Sequence, residues 1–250
     1  MPDLSIVIPA YNEEKNIRNS LERILIFLAE QSLTGEIIVV DDGSSDKTAD
    51  LVESFAKDNP QVKLQREAHR GKGAAVRSGV LSAVGDFILF TDADLAVDIK
   101  EYKRLAVWLN EQGYDLAIGS REGLGAVRRH EPFYRHLMGR VFNLSVKIFV
   151  LRGFEDTQCG FKLFKKEAAK DIFSRLVTYG EKSPEIVRAS VTAFDVEVLF
   201  LAKKLGYKIK EVPVEWEHVK TRRVHPVKDS VRMFLDILRI RYNSLRGLYK

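Results

Sequence analysis

The chain has 250 residues, enough for one sizeable α/β domain with its own core. Its 45% hydrophobic and 30% charged content excludes a disordered chain. The formal net charge of +5 suits phosphorylated, anionic-lipid or nucleic-acid partners without choosing among them, and the single cysteine, Cys159, excludes an internal disulfide framework. Cys159 also lacks the Cys and His companions of a zinc site, so its expected role is packing. No apolar run reaches the roughly 20 residues needed to span a bilayer. The start, Met1-Pro2-Asp3, has no basic secretion-signal character, so a cytoplasmic protein is expected.

In chain order, Leu4-Ser5-Ile6-Val7-Ile8-Pro9 reads as a buried first strand. Asn12, Glu13 and Glu14 offer a cap and early acids for a helix reaching Glu30. Glu36-Ile37-Ile38-Val39-Val40 is a second buried strand, stopping at Asp41-Asp42-Gly43-Ser44-Ser45, and Asp46 caps a helix over 47–57. Val62-Lys63-Leu64 is a short strand. His69-Arg70-Gly71-Lys72-Gly73 is a glycine-rich turn before a helix over 74–84. Asp86-Phe87-Ile88-Leu89-Phe90 is another buried strand, ending at Thr91-Asp92-Ala93-Asp94. This alternation predicts a mostly parallel sheet with right-handed crossovers, flanked by helices. Ligands of such sheets sit at the carboxyl ends of the strands, where both acidic groups fall.

Further on, residues 116–121 form a strand ending at Arg121, and 122–131 a glycine- and arginine-rich mobile loop. Helices are expected over 133–150, 195–205 and 229–248, with strands over 161–164 and 208–216. No repeat or low-complexity linker interrupts the chain. The expected organisation is one domain, 1–225, with a C-terminal basic amphipathic helix, 226–250, packed on it.

Asp92-Ala93-Asp94 at a buried strand end offers carboxylates to a hard cation, Mg²⁺ or Mn²⁺, which shares its shell with substrate phosphates. A solvated turn is the competing reading for that tripeptide alone. Asp42 can accept hydrogen bonds from a ribose or a base, and Tyr11 and Glu13 leave the first strand on the same rim.

Together, Ile8-Pro9-Ala10-Tyr11-Asn12-Glu13, Val39-Val40-Asp41-Asp42-Gly43-Ser44-Ser45-Asp46 and Thr91-Asp92-Ala93-Asp94-Leu95 resemble the family 2 glycosyltransferases of the GT-A, Rossmann-like fold. The resemblance implies that Pro9, Tyr11, Glu13, Val40 and Asp42 bind the nucleotide. It also implies that Asp92, Ala93 and Asp94 meet its diphosphate through the metal. Gly119-Ser120-Arg121, Asp156-Thr157-Gln158-Cys159-Gly160-Phe161-Lys162-Leu163-Phe164 and Phe194-Asp195-Val196-Glu197 resemble the polyprenyl-phosphate branch. Within it, His69-Arg70-Gly71-Lys72-Gly73 and the run after Cys159 are most similar to dolichyl-phosphate β-glucosyltransferases.

The implied function is inverting transfer of glucose from UDP-glucose to a polyprenyl or dolichyl phosphate. Mannose from GDP-mannose is one alternative. A hydroxyl acceptor with Asp156 as base is another. A lipid phosphate, with its second pKa near about 6, is already an anion and needs no protein base. Asp94, Arg121 and Asp156 are the catalytic candidates. Arg121, Arg135 and Arg140 are candidates for the acceptor phosphate. Lys72 and one of Arg222 and Arg223 are candidates for the diphosphate. A structural reading competes for Asp156, and at least one of Asp195 and Glu197 is expected to be structural. No nucleic-acid-binding motif is present. Residues 128–152 and the C-terminal helix carry apolar and basic residues suited to peripheral contact with the cytoplasmic face of a membrane. For the C-terminal helix, packing of its apolar face on the sheet is the favoured reading.

Overall fold

Buried runs rich in β-branched residues become one seven-stranded sheet, in a computed structural model that describes residues 2–181, 183–186, 191–218 and 226–249. Strands β1 (Leu4–Ala10), β2 (Gly35–Asp41), β3 (Val62–Arg66), β4 (Phe87–Thr91) and β5 (Leu116–Ser120) belong to it. A short β6 (Val127–Arg129) lies outside it, and β7 (Phe161–Lys165) and β8 (Ile209–Pro213) complete it. A last strand, β9 (Glu215–Glu217), pairs with β6 in a separate two-stranded sheet. The strand order is β3-β2-β1-β4-β7-β5-β8. All pairings are parallel except those of β7, which runs antiparallel to both β4 and β5.

Successive side chains of each strand enter opposite cores, because helices cover both faces. Val7, Val40 and Phe90 point into one core with α3 (Lys72–Ser82), α6 (Lys166–Ser174) and α7 (Phe194–Lys204). Ile6, Ile8, Val39 and Leu89 point into the other with α1 (Ile17–Glu30), α2 (Thr48–Asp58) and α4 (Tyr102–Asn110). Leu21, Ile24 and Phe27 of α1 are fully buried there. Each such side chain contributes roughly 1.5–3 kcal/mol through burial.

The structure departs from the sequence reading at several elements. Helix α1 starts at Ile17, because Asn12 is left-handed (φ 54°) and its side-chain oxygen accepts from the Ser45 N–H at 2.8 Å instead of capping a helix. Asp46 binds the Thr48 N–H at 2.9 Å one residue ahead of the cap position. Helices α4 and α6 were not anticipated, although Tyr102, Leu105, Ala106 and Leu109 do follow a helical period. The expected strand over 208–216 breaks at Val214, so β8 and β9 serve different sheets. The arginine-rich segment after β5 holds β6 and an ion-pair cluster, in which Arg128 meets both Glu122 and Glu131.

Two further helices, α5 (Phe133–Phe149) and α8 (Pro226–Leu245), pack on each other beside the α7 core. Helix α8 buries Met233, Ile237 and Ile240, but Val231, Phe234, Leu235, Leu238 and Tyr242 stay exposed. Only Ile237 of the apolar residues expected to pack is therefore covered. Among the described residues no helix is long and apolar enough to cross a membrane.

The chain end returns to the core. Tyr249 is 2% exposed and donates to Glu197 Oε1 at 2.6 Å. Glu197 also accepts from the N–H groups of Val177, Thr178 and Tyr179 at 3.1, 2.6 and 3.0 Å. It is thus a structural carboxylate that ties helix α7 to the 177–179 segment and to the C-terminus. Glu197→Gln puts an amide donor among donors and is expected to lower unfolding stability by about 3 kcal/mol. Tyr249→Phe is expected to cost about 1 kcal/mol. Urea midpoints of the two variants check both figures.

Candidate active site

The strand order reverses between β1 and β4, since β2 and β3 lie on one side of β1 and β4 on the other. That reversal opens a crevice at the carboxyl ends of the strands. Tyr11 and Glu13 follow β1, Asp42 follows β2, and Asp92 and Asp94 follow β4. β5 ends at Ser120, which places Arg121 on the same rim. Antiparallel β7 begins where β4 ends, with Phe161 opposite Thr91. Gly160 is therefore delivered to Asp92, so closely that a Cβ on it would lie 2.1 Å from Asp92 Oδ2.

The acidic tip is crowded. Asp94 accepts from the Ala96 N–H at 3.1 Å. Burial, then the charges of Asp92 and Glu13, push its pKa up to about 6 against the pull of Lys72. The Lys72 ammonium lies 2.5 Å from Asp92 Oδ1. Burial opposes the lysine charge, but Asp92, Asp195 and Asp94 outweigh it and hold its pKa above the ordinary lysine value. Ala93 is buried and its carbonyl accepts from Ser20 Oγ of α1 at 2.7 Å, which fixes the tip to the scaffold.

Asp42 is nearly covered, at 3% exposure. Its carboxylate accepts from the N–H groups of Arg70 and Gly71 at 2.8 and 2.9 Å and meets His69 Nδ1 at 2.8 Å. Burial raises its pKa despite those bonds. The His69 ring stacks on Tyr11, with centroids 4.0 Å apart and planes 6° from parallel. His69 Nε2 and Asp41 Oδ1 are buried without a hydrogen-bond partner among the described residues, so polar capacity remains at this end of the crevice. The Val40 side chain lies in the core, where a Cβ on Gly79 of α3 would come within 2.8 Å of it, so only its main chain is left for a ligand. Pro9 pairs with Val40 in the β1–β2 register.

On the other side of Asp92, Arg121 and Asp156 form a two-pronged ion pair. Nε and one terminal nitrogen lie 2.7 and 2.9 Å from the two carboxylate oxygens. The N–H groups of Arg121 and Gln158 add bonds of 3.0 Å each. Burial works to raise the Asp156 pKa, but Arg121 and these bonds hold it well below the usual carboxylate range. Arg121 also lies over the Trp216 ring at 5.4 Å. Arg140 is paired with Glu155, the neighbour of Asp156 in sequence, at 3.2 Å. Arg222 and Arg223 lie outside the described residues, as does the side chain of Arg135. Cys159 is buried, and burial pushes its pKa up to about 12, which fits packing rather than reactivity.

Four further residues complete the site without a local sequence signal for their role. His69, Gly160 and Ser20 shape the crevice, and Lys162 lies behind it. Lys162 is 0% exposed, with its ammonium 2.5 Å from Asp195 and 2.6 Å from the Cys159 carbonyl. Its place on β7, two residues after Gly160, gave no signal, because alternation on a strand does not say which core tolerates a charge.

Known proteins share this architecture. Glycosyl transferase family 2 matches residues 5–173. A dolichyl-phosphate β-glucosyltransferase from Dictyostelium discoideum is 37% identical, covering 99% of this chain and 76% of that protein. One from Drosophila melanogaster is 35% identical, covering 99% and 77%. A glucosyl-3-phosphoglycerate synthase from Mycobacterium tuberculosis, solved with Mn²⁺, uridine-diphosphate and glucosyl-3-phosphoglycerate, superposes with a TM-score of 0.60 at 20% identity, over 98% of this chain and 80% of that one. The chain belongs to glycosyl transferase family 2 and is a transferase of the GT-A fold.

Proposed function

We propose that this protein moves glucose from UDP-glucose to a dolichyl or other polyprenyl phosphate, inverting the anomeric centre, at the cytoplasmic face of a membrane. The observation that carries the acceptor class is the Arg121–Asp156 pair. The carboxylate available as a base is held ionised and two-pronged by an arginine. A group of such low proton affinity is a poor general base, which suits an acceptor that arrives already charged. The similarity to dolichyl-phosphate β-glucosyltransferases over 99% of this chain supports the sugar and the lipid. It does not favour mannose transfer or a hydroxyl acceptor.

In this reading Asp92 and Asp94 hold a divalent cation, Mg²⁺ or Mn²⁺. The donor set fits: two crowded carboxylates whose mutual repulsion a cation relieves. Among the described residues no cluster of three or more His, Cys, Asp or Glu side chains could hold a metal. Two carboxylates leave positions in a hard cation's shell for substrate diphosphate. When bound, it would neutralise the charge that develops on the leaving diphosphate. Tyr11, Glu13, Asp42 and the main chain of Pro9 and Val40 line the nucleotide end. Arg121, its fork held by Asp156, contributes positive charge toward the acceptor phosphate, and Arg135 and Arg140 remain candidates to bind it. Arg222 and Arg223 remain candidates for the diphosphate.

The exposed faces of α5 and α8 support peripheral membrane contact. Phe133, Leu137, Val141, Leu144 and Ile148 of α5 are each more than half exposed, as are Val231 and Leu235 of α8. Phe149 and Phe234 join the two helices edge to face, at 5.7 Å. Arg140, Lys147, Arg232 and Arg239 lie on the same two helices. Apolar insertion beside basic residues is how a surface helix binds anionic lipid.

Three outcomes test this reading. UDP-glucose with Mn²⁺ should raise the melting temperature, and GDP-mannose should not; stabilisation by GDP-mannose alone would overturn the donor. Gly160→Ala should leave the fold intact by circular dichroism yet lower turnover at least about 100-fold, since a displaced Asp92 carboxylate disturbs the metal and leaving group together. Wild type should co-sediment with anionic vesicles, and Leu144→Glu with Leu235→Glu should release it while UDP binding stays unchanged. Equal sedimentation of the double variant would remove α5 and α8 from the membrane contact.

A further inference from the structure

Carboxylates and ammonium groups alternate through the floor of the crevice. Lys72 is paired with Asp92 at 2.5 Å, and Lys162 with Asp195 at 2.5 Å. The two lysines share one aromatic wall: Lys72 lies 5.8 Å and Lys162 5.1 Å from the Phe90 ring centre, and Lys72 lies 5.9 Å from Phe194. The Lys162–Asp195 pair is sealed, with both side chains under 5% exposed. The Lys72–Asp92 pair is open, with side chains 35% and 37% exposed. One pair is therefore permanent. The other faces the crevice.

Asp92 has little room to serve two cations. Gly160 packs against its carboxylate so closely that even a methyl group would not fit, and Lys72 occupies Oδ1. A divalent ion that binds Asp92 meets a positive charge already on the carboxylate, and like charges at contact distance repel strongly in a partly buried site. Lys72 must then give up Asp92. A substrate diphosphate arriving with the metal offers the ammonium new oxygen partners within the same crevice.

We propose that Lys72 is the internal counter-cation of the acidic tip: it neutralises Asp92 before substrate binds and is exchanged for the divalent ion when a nucleoside diphosphate arrives to receive it. The inference rests on the nucleotide-sugar reading above and adds a coupling to it. Metal alone binds weakly, because it must strand Lys72. Metal and nucleotide together bind cooperatively, because the diphosphate takes the ammonium. The sealed Lys162–Asp195 pair is neutral as a unit, so the departure of Lys72 leaves no unpaired carboxylate at Asp195.

The test is Mn²⁺ binding followed by loss of the free-ion paramagnetic resonance signal, with and without UDP, in the full chain. Lys72→Met keeps most of the apolar stem of the side chain and removes its charge. It should bind Mn²⁺ alone at least about tenfold more tightly than wild type, as expected when one like charge is removed at contact distance. It should also lose most of the enhancement that UDP gives to Mn²⁺ affinity. Lys72→Gln, with a polar tip, should behave the same way and serves if the methionine variant does not fold. Mn²⁺ affinity no higher than wild type in the folded variant would overturn the proposal. If UDP does not raise Mn²⁺ affinity even in wild type, the nucleotide-sugar reading fails instead, and the comparison with Mn²⁺ alone still decides whether Lys72 guards Asp92.

Discussion

The antiparallel strand β7, set between β4 and β5, is the constraint on which the rim depends. A parallel strand there would bring its far end to the crevice. Antiparallel pairing brings Gly160 and the residues just before it, so one loop meets the tips of β4 and β5 together. Its glycine presses on Asp92, and its Asp156 binds Arg121. The same strand buries Lys162 below the floor. Contacts across β7 thus join the acidic tip to the arginine that faces it.

Electrostatics explains why so many acids tolerate one rim. Asp42 is satisfied by two backbone N–H groups and His69, Asp156 by Arg121, and Asp92 by Lys72. Asp94 is the least compensated of these, and its raised pKa records that deficit. A buried charge persists only where partners repay its lost hydration. The rim therefore separates into acids spoken for by the protein and one that favours an added cation. In the proposed reaction that asymmetry is what a diphosphate and its metal would use.

The proposed acceptor reaches this rim from a surface of a different character. The exposed apolar residues of α5 and α8 lie on two helices that pack on each other, and the ion pairs of Arg140 and Lys147 with Glu155 connect α5 to the loop that carries Asp156. Lipid contact and phosphate position would then share one scaffold.

The sequence by itself determined much of this. Apolar runs closing on Asp42 and on Asp92-Ala93-Asp94 were legible because a buried strand and the polar residues at its end are local features, and the three ordered segments carried the family. Cys159 as a packing residue followed from its isolation. What the sequence did not contain was pairing at a distance. That Arg121 spends its fork on Asp156, 35 residues away, and that Asp42 organises the 69–71 turn, 27 to 29 residues away, depend on which loops the sheet brings together. Helix α1 starts late because Asn12 reaches across to Ser45, a partner 33 residues on. The apolar stripe of α8 is visible in the sequence but its exposure is not, because periodicity shows that a helix has a face and not which neighbour covers it. Strand direction, ion-pair choice and the side left open are settled only by packing, since each depends on atoms that are far apart in the chain.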